Sequence, residues 1–193
     1  MSGSTREMND EELVRRSQSG DARAFEAIYD RHAPGVARVL ASFAGPDRDT
    51  LDDLTQEVFY RVIKNLASYT PDNAFVRWLY TITLNVGRNH ARRKSRVITV
   101  DPSQFDDPPY ARTADRSGSR EGICHVVMHL VTTLPDEMQD VVSLRVGSDM
   151  AYDAIGEILG IPPGTVRSRM HNAIKLLREK LGVMNDQRRM EHE

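Results

Sequence analysis

The sequence is short of the features that most often announce a chemistry. It holds one cysteine, Cys124, so no internal disulfide framework can form, and that usage suits a reducing cytosol. No run approaches the roughly 18 apolar residues that a membrane helix needs, and the opening MSGSTREMNDEEL has no apolar core. Neither a membrane span nor a signal peptide is therefore expected, and a cytoplasmic location is. There is no glycine-rich phosphate loop and no Ser-His-Asp set, which makes enzyme the weakest class and implies no cofactor. Asp52, Asp53 and Glu57 could suggest paired catalytic carboxylates, but no nucleophile or metal partner accompanies them, and a docking face is the better reading. Cys124, His125 and His129 lack the remaining ligands of a zinc site, so no metal is expected. A general basic coat is missing too, since the formal net charge is −2.

What the chain has instead is charge of both signs in separate places. Leu51 to Arg96 begins acidic, turns aromatic and ends basic. Leu51, Leu54, Val58, Val62 and Leu66 recur at spacings of three and four, one apolar helical stripe, with Asp52, Asp53, Gln56, Glu57, Arg61 and Lys64 on the remaining surface. After a break at Ser68 to Asp72, Pro71 and Asp72 supply the start signal for a second helix with the stripe Phe75, Leu79, Ile82 and Val86. From Arg88 to Arg96 there are five basic residues and no acid, and Arg88, Arg92 and Arg96 recur every four residues as a cationic ridge suited to phosphates. Such a division suggests two partners, one a protein and one a nucleic acid.

The residues before this stretch read as helical scaffold. Asn9 to Glu12 caps a short helix, Ser19-Gly20-Asp21 stops it and caps the next, Pro34 is expected in the first turn of a third helix, and Gly45-Pro46-Asp47 ends that one. Composition shifts after Arg96. Val97 to Val100 suits a short extended piece, and the following segment to Gly122 is rich in proline and poor in apolar periodicity, a linker. The linker spans 97–122, and at roughly 3.3 Å per residue it could extend to about 85 Å, beyond two turns of B-DNA. Helical pattern resumes at Ile123, and Pro135-Asp136 starts a further helix. Tyr152 to Leu159, the turn Gly160-Ile161-Pro162 and the helix opened by Gly164 then form a helix-turn-helix, in which Gly156 permits close approach. Ile155, Ile158, Leu159, Ile161, Val166, Met170, Ile174 and Leu177 are the apolar positions for its crossing. Arg167, Ser168, Arg169, His171, Asn172 and Lys175 face away from it, with the hydrogen-bonding chemistry to read base edges and grip phosphates.

Two of these blocks carry a resemblance. Asp53-Leu54-Thr55-Gln56-Glu57-Val58-Phe59, then Phe75 to Tyr80, Ile82, Asn85 and Arg92-Arg93, resembles region 2 of bacterial extracytoplasmic-function sigma factors of the sigma-70 family. Leu134-Pro135, Tyr152 to Ile155 and GTVRSRMHNAIKLLR resemble region 4 of the same group, with two departures. Ala151 stands where a small polar cap is usual, and Asp149 where a glycine is, so Asp149 is expected to cap from a shifted start.

The resemblance implies an all-α protein of two small helical domains: a region 2-like bundle over 1–96, the linker 97–122, a region 4-like domain over 123–182 and a tail over 183–193. It implies core RNA polymerase as partner through Asp53, Gln56 and Glu57, and promoter DNA as ligand. For the −10 element the candidates are Tyr69, Asn73, Arg77, Trp78, Tyr80, Asn85, Arg88, Asn89, Arg92 and Arg93, although Trp78 and Phe75 taken singly read as core. For the −35 element they are Thr165, Arg167, Ser168, Arg169, His171, Asn172 and Lys175. An anti-sigma factor is the expected regulator. Rival readings are a stand-alone helix-turn-helix regulator, which leaves Leu51 to Arg96 unexplained, and a sigma-like decoy that only binds an anti-sigma factor, against which the presence of Arg167, Ser168 and Arg169 speaks.

Overall fold

The structure is a computed structural model that describes residues 8–45, 47–70, 74–98 and 120–191, with side chains described through these spans except at 94–98, 120–125 and 184–191. Among the described residues the chain forms eight α-helices: α1 (Asp10–Gln18), α2 (Ala22–Ala44), α3 (Arg48–Leu66), α4 (Phe75–Ile98), α5 (Arg120–Thr132), α6 (Asp136–Ser148), α7 (Tyr152–Leu159) and α8 (Pro163–Glu191). The all-α class follows.

Local chemistry sets most boundaries. The Asn9 Oδ1 accepts from the Glu12 N–H at 2.9 Å, and Asp10, Glu11 and Glu12 place negative charge at the positive end of α1. Asp21 caps α2 by accepting from the amides of Arg23 and Ala24. Gly45, at φ 73°, closes α2 in a conformation that costs a side-chain-bearing residue strain. Pro34 does not start a helix as the sequence suggests; it lies inside α2, facing solvent. An interior proline costs about 3 kcal/mol. Ile28, Val36, Val39 and Leu40 are all fully buried around it, at roughly 1.5–3 kcal/mol each, so packing carries the helix through.

Helix α2 is the pillar. Against α1, α3 and α4 it builds an amino-terminal core from Leu13, Val14, Ile28, Val36, Leu40, Val58, Phe59, Val62, Phe75 and Leu79. In the carboxy-terminal half Val131, Leu134, Val142 and Ala173 form a smaller core with Met138, Met170, Leu176 and Leu177. A third cluster joins the halves: Val39, Phe43, Tyr80 and Leu84 pack with Val141, Leu144, Ile155 and Val166. Polar contacts follow the same seam. The Gln139 Nε2 donates to the Ser42 carbonyl at 2.7 Å, the Ser42 and Ser143 hydroxyls touch, and the Arg38 Nε donates to the Gly147 carbonyl at 2.8 Å. No buried side-chain nitrogen or oxygen among the described residues lacks a hydrogen-bond partner.

Further boundaries differ from expectation. Val97 and Ile98 close α4 rather than forming an extended piece, while Thr99 and Val100 lie outside the described residues, as does the linker from there to Ser119. Helix α8 continues through most of the expected tail, to Glu191. Asp149 does not cap α7: it ends α6 in the left-handed conformation, φ 54°, and Ala151 holds the α7 cap position with no side-chain hydrogen bond. An aspartate tolerates that conformation better than most residues, which is how it stands where a glycine is usual.

Candidate nucleic-acid and polymerase interfaces

Three surfaces carry the candidate residues. On α3, Val58, Phe59, Val62 and Leu66 turn into the core, which leaves Asp52, Asp53 and Gln56 exposed and Glu57 at the boundary. Glu57 Oε1 accepts from the Arg61 Nε at 2.6 Å, one turn along. Sequence reasoning missed two neighbours on this face: Tyr60 is 61 % exposed and Ile63 is 56 % exposed. Their signal was available, since 53, 56, 60 and 63 follow the three-and-four spacing of one helical face. An acidic face that also shows a bare tyrosine and isoleucine has the make-up of a protein-docking surface, apolar anchors within a polar surround.

On α4, Phe75, Leu79 and Val86 are buried, and Ile82 packs partly against them. Asn85, Asn89, Arg92 and Arg93 are exposed, and Arg77 and Trp78 lie at the boundary. Two tyrosines named as −10 candidates are instead buried. The Tyr69 ring meets Phe75 edge-on at 6.0 Å and Trp78 at 4.9 Å. Tyr80 is 5 % exposed within the cluster that joins the two halves. Its hydroxyl sits where a side chain on Gly35 would be, and burial pushes its phenol above the ordinary tyrosine value, with the Arg38 charge pulling the other way. The periodicity of α4 alone hid this, because what covers Tyr80 comes from distant parts of the chain. Asn73, with Pro71 and Asp72, lies outside the described residues, and so does the Arg96 side chain. Of the ridge, Arg88 is turned inward: its guanidinium forms a two-pronged hydrogen bond with Asp140, from Nε at 3.0 and 3.2 Å and from Nη2.

The third surface is the helix-turn-helix. Gly160, at φ 68°, turns the chain after α7, and the Ile161 N–H donates to the Gly156 carbonyl at 3.0 Å. A Cβ on Gly156 would stand 2.7 Å from the Ile161 carbonyl oxygen, so the turn requires glycine there. In α8, Val166 and Ala173 are buried, and Met170 packs against both the carboxy-terminal core and the cluster that joins the halves. Ile174 was expected at the crossing but is 37 % exposed; Ala173 takes the inward position, one residue earlier. Outward stand Arg167, Ser168, His171, Asn172 and Lys175, with Thr165 at the boundary. The Arg167 guanidinium lies 5.8 Å from the centre of the Tyr152 ring, with Arg145 at 5.6 Å from the same ring. Arg169 is turned back toward α6, its Nη2 2.6 Å from the Glu137 carboxylate. No helix among the described residues is long and apolar enough to cross a membrane. The Cys124 and His125 side chains lie outside the described residues.

Family models match the stretches that carry these surfaces. Sigma-70 region 2 matches residues 28–97, which include α3 and α4, and Sigma-70, region 4 matches residues 130–179, which include the helix-turn-helix. The chain belongs to the sigma-70 family. Similarity extends over most of both chains in one relative: the ECF RNA polymerase sigma-E factor of Haemophilus influenzae is 27% identical over 184 residues, 91% of this chain and 96% of that one. Among solved structures, CnrH in complex with the cytosolic domain of CnrY has a TM-score of 0.66 at 24% identity, covering 90% of this chain and 97% of that chain. The sigma factor RpoE in complex with the anti-sigma factor NepR from Bartonella quintana has a TM-score of 0.60 at 18% identity, covering 84% and 99%. This sigma factor is of the extracytoplasmic-function group, and its function is to direct RNA polymerase to promoters.

Proposed function

We propose that this sigma factor divides its work among the three surfaces. The α3 face of Asp53, Gln56 and Glu57, with Tyr60 and Ile63 at its centre, docks on core RNA polymerase. The polar residues of α4, Arg77, Asn85, Arg88, Asn89, Arg92 and Arg93, hold −10 DNA as its bases leave the stack, and α8 enters the −35 major groove with Thr165, Arg167, Ser168, His171, Asn172 and Lys175. Unpairing costs a few kcal/mol, offset by stacking and phosphate neutralisation. The chain contributes binding and specificity, and polymerase contributes the chemistry, in the cytoplasm. An anti-sigma factor is proposed as its regulator, as the shared fold with the Bartonella protein suggests.

The observation that carries this reading is the sidedness of α8. Val166 and Ala173 are fully buried, while Arg167, Ser168, His171 and Asn172 share the opposite, open side of a helix that follows a glycine-dependent turn. Two substitutions test it. Arg167→Ala is expected to relax −35 selectivity by roughly 5–150-fold, the weight of about 1–3 kcal/mol for one base-reading pair, without loss of polymerase binding. Asp53→Ala is expected to weaken core-polymerase affinity with promoter selectivity unchanged. Core-polymerase pull-down and run-off transcription measure the two effects, and unchanged values in both would reject the assignments.

A further inference from the structure

Helix α1 lies wholly outside the stretch matched by region 2, which begins at residue 28, and none of the three surfaces draws a residue from it. Its last residue nevertheless reaches across the fold. The Gln18 Nε2 donates to the Leu66 carbonyl and to the Tyr69 carbonyl, each at 2.9 Å, from 48 and 51 positions away. Because both partners only accept, they settle which end of the amide points inward.

Leu66 is the last residue of α3, and Tyr69 lies in the turn that leads on toward α4. The last carbonyls of a helix need partners, and that accounts for the bond to Leu66. It does not account for the second, since Tyr69 belongs to no helix. The turn also holds itself, through the Ser68 N–H to the Asn65 carbonyl and the Tyr69 N–H to the Leu66 carbonyl, each at 3.1 Å. What Gln18 adds is a tie from the turn to a different helix. Gln18 is exposed, and a neutral hydrogen bond open to water adds little to overall stability. Two such bonds from one side chain still restrict where the turn can lie.

The tie sits behind a group of aromatic rings. The Tyr69 ring lies 6.0 Å from Phe75 and 4.9 Å from Trp78, those two rings are 5.9 Å apart, and the His32 ring of α2 meets Phe75 at 5.7 Å. Phe75 and Trp78 stand in the first turn of α4, where Arg77 also stands. The place of Tyr69 therefore decides how that first turn is presented.

We propose that Gln18 is a positioning residue for −10 capture: by holding the turn from Leu66 to Tyr69, it sets the Tyr69 ring behind Trp78 and fixes the start of α4, with Arg77, against the strand that leaves the duplex. The proposal rests on the reading of α4 as the −10 surface. A binding surface held loosely loses contacts even when every contact residue is present.

The test uses holoenzyme assembled from the full chain and core polymerase, and the separated non-template strand of a promoter whose start that holoenzyme defines. Gln18→Met keeps an unbranched side chain and removes the donor. It is expected to weaken binding of the strand about 5-fold or more, a loss on the scale of one stacked base, with affinity for core polymerase unchanged. Gln18→His, neutral at about pH 8, returns a ring N–H donor and should bind several-fold tighter than Gln18→Met. Trp78 is the chain's one tryptophan, so its emission follows the ring group directly. That emission is expected to shift to longer wavelength in Gln18→Met and to return in Gln18→His. Strand affinity equal to the parent's in Gln18→Met, an equal loss in both variants, or an equal loss of polymerase affinity would overturn the proposal. Arg77→Ala with Asn85→Ala tests the underlying reading separately. If that pair binds the strand as the parent does, α4 does not serve the −10 element and both ideas fall; if it binds weakly while Gln18→Met does not, only the role of Gln18 is wrong.

Discussion

At the scale of single residues, two positions have consequences that can be measured without any partner. Gly156 stands where a methyl group would press on the Ile161 backbone oxygen, a contact that no side-chain rotation relieves. Gly156→Ala is therefore expected to destabilise the helix-turn-helix by about 1–3 kcal/mol despite the better helix propensity of alanine, seen as a lower midpoint in thermal unfolding. A midpoint equal to or above that of the parent would contradict the geometry. Asp10 is the second. Burial would raise its pKa, but the hydrogen bonds and charges of His32 and Arg31 outweigh burial and hold it below the ordinary aspartate value. With the folded value depressed, the carboxylate contributes stability that is fully present above the unfolded value of about 3.9 and is lost as pH falls through the folded value. Asp10→Asn should thus cost about 1–2 kcal/mol at pH 7 and much less at the acid end, measured by urea unfolding across that range.

Among helices, the test falls on α3. Tyr60 and Ile63 are exposed while Phe59 and Val62 beside them are buried, so the fold does not need the first pair. Tyr60→Ala with Ile63→Ala should leave stability within about 0.5 kcal/mol per site and still weaken binding to core polymerase; intact affinity in a pull-down titration would remove them from the docking face. The helices also show which features a sequence makes legible. The α3 stripe, the caps at Asn9 and Asp21, the turn at Gly160 and the glycine at 156 could all be read, because each depends on residues within a few positions of one another. Pro34 misled, since a local rule for proline says nothing about four fully buried side chains around it. Tyr80 misled for the same reason at longer range: a tyrosine on α4 looks polar-faced until the rest of the chain covers it. Tyr69, before α4, is covered by the nearby rings of Phe75 and Trp78. Arg88 reads as part of a cationic ridge, yet it is turned inward to Asp140, 52 positions away, and no periodicity reports that.

For the molecule as a whole, the two halves matched by region 2 and region 4 are not separate beads. Val39, Phe43, Tyr80 and Leu84 on one side and Val141, Leu144, Ile155 and Val166 on the other form one buried cluster. The elements matched by the two family models therefore share a buried cluster rather than each closing wholly on its own. The account at this scale rests on the chain joining polymerase and choosing start sites for it. The most direct measurement adds the purified chain to core RNA polymerase and maps transcript starts on a genomic library, with core polymerase alone beside it. The account predicts a discrete set of starts, present only with the chain, whose upstream DNA shares two short elements at fixed spacing. Starts that are the same with and without the chain would contradict it.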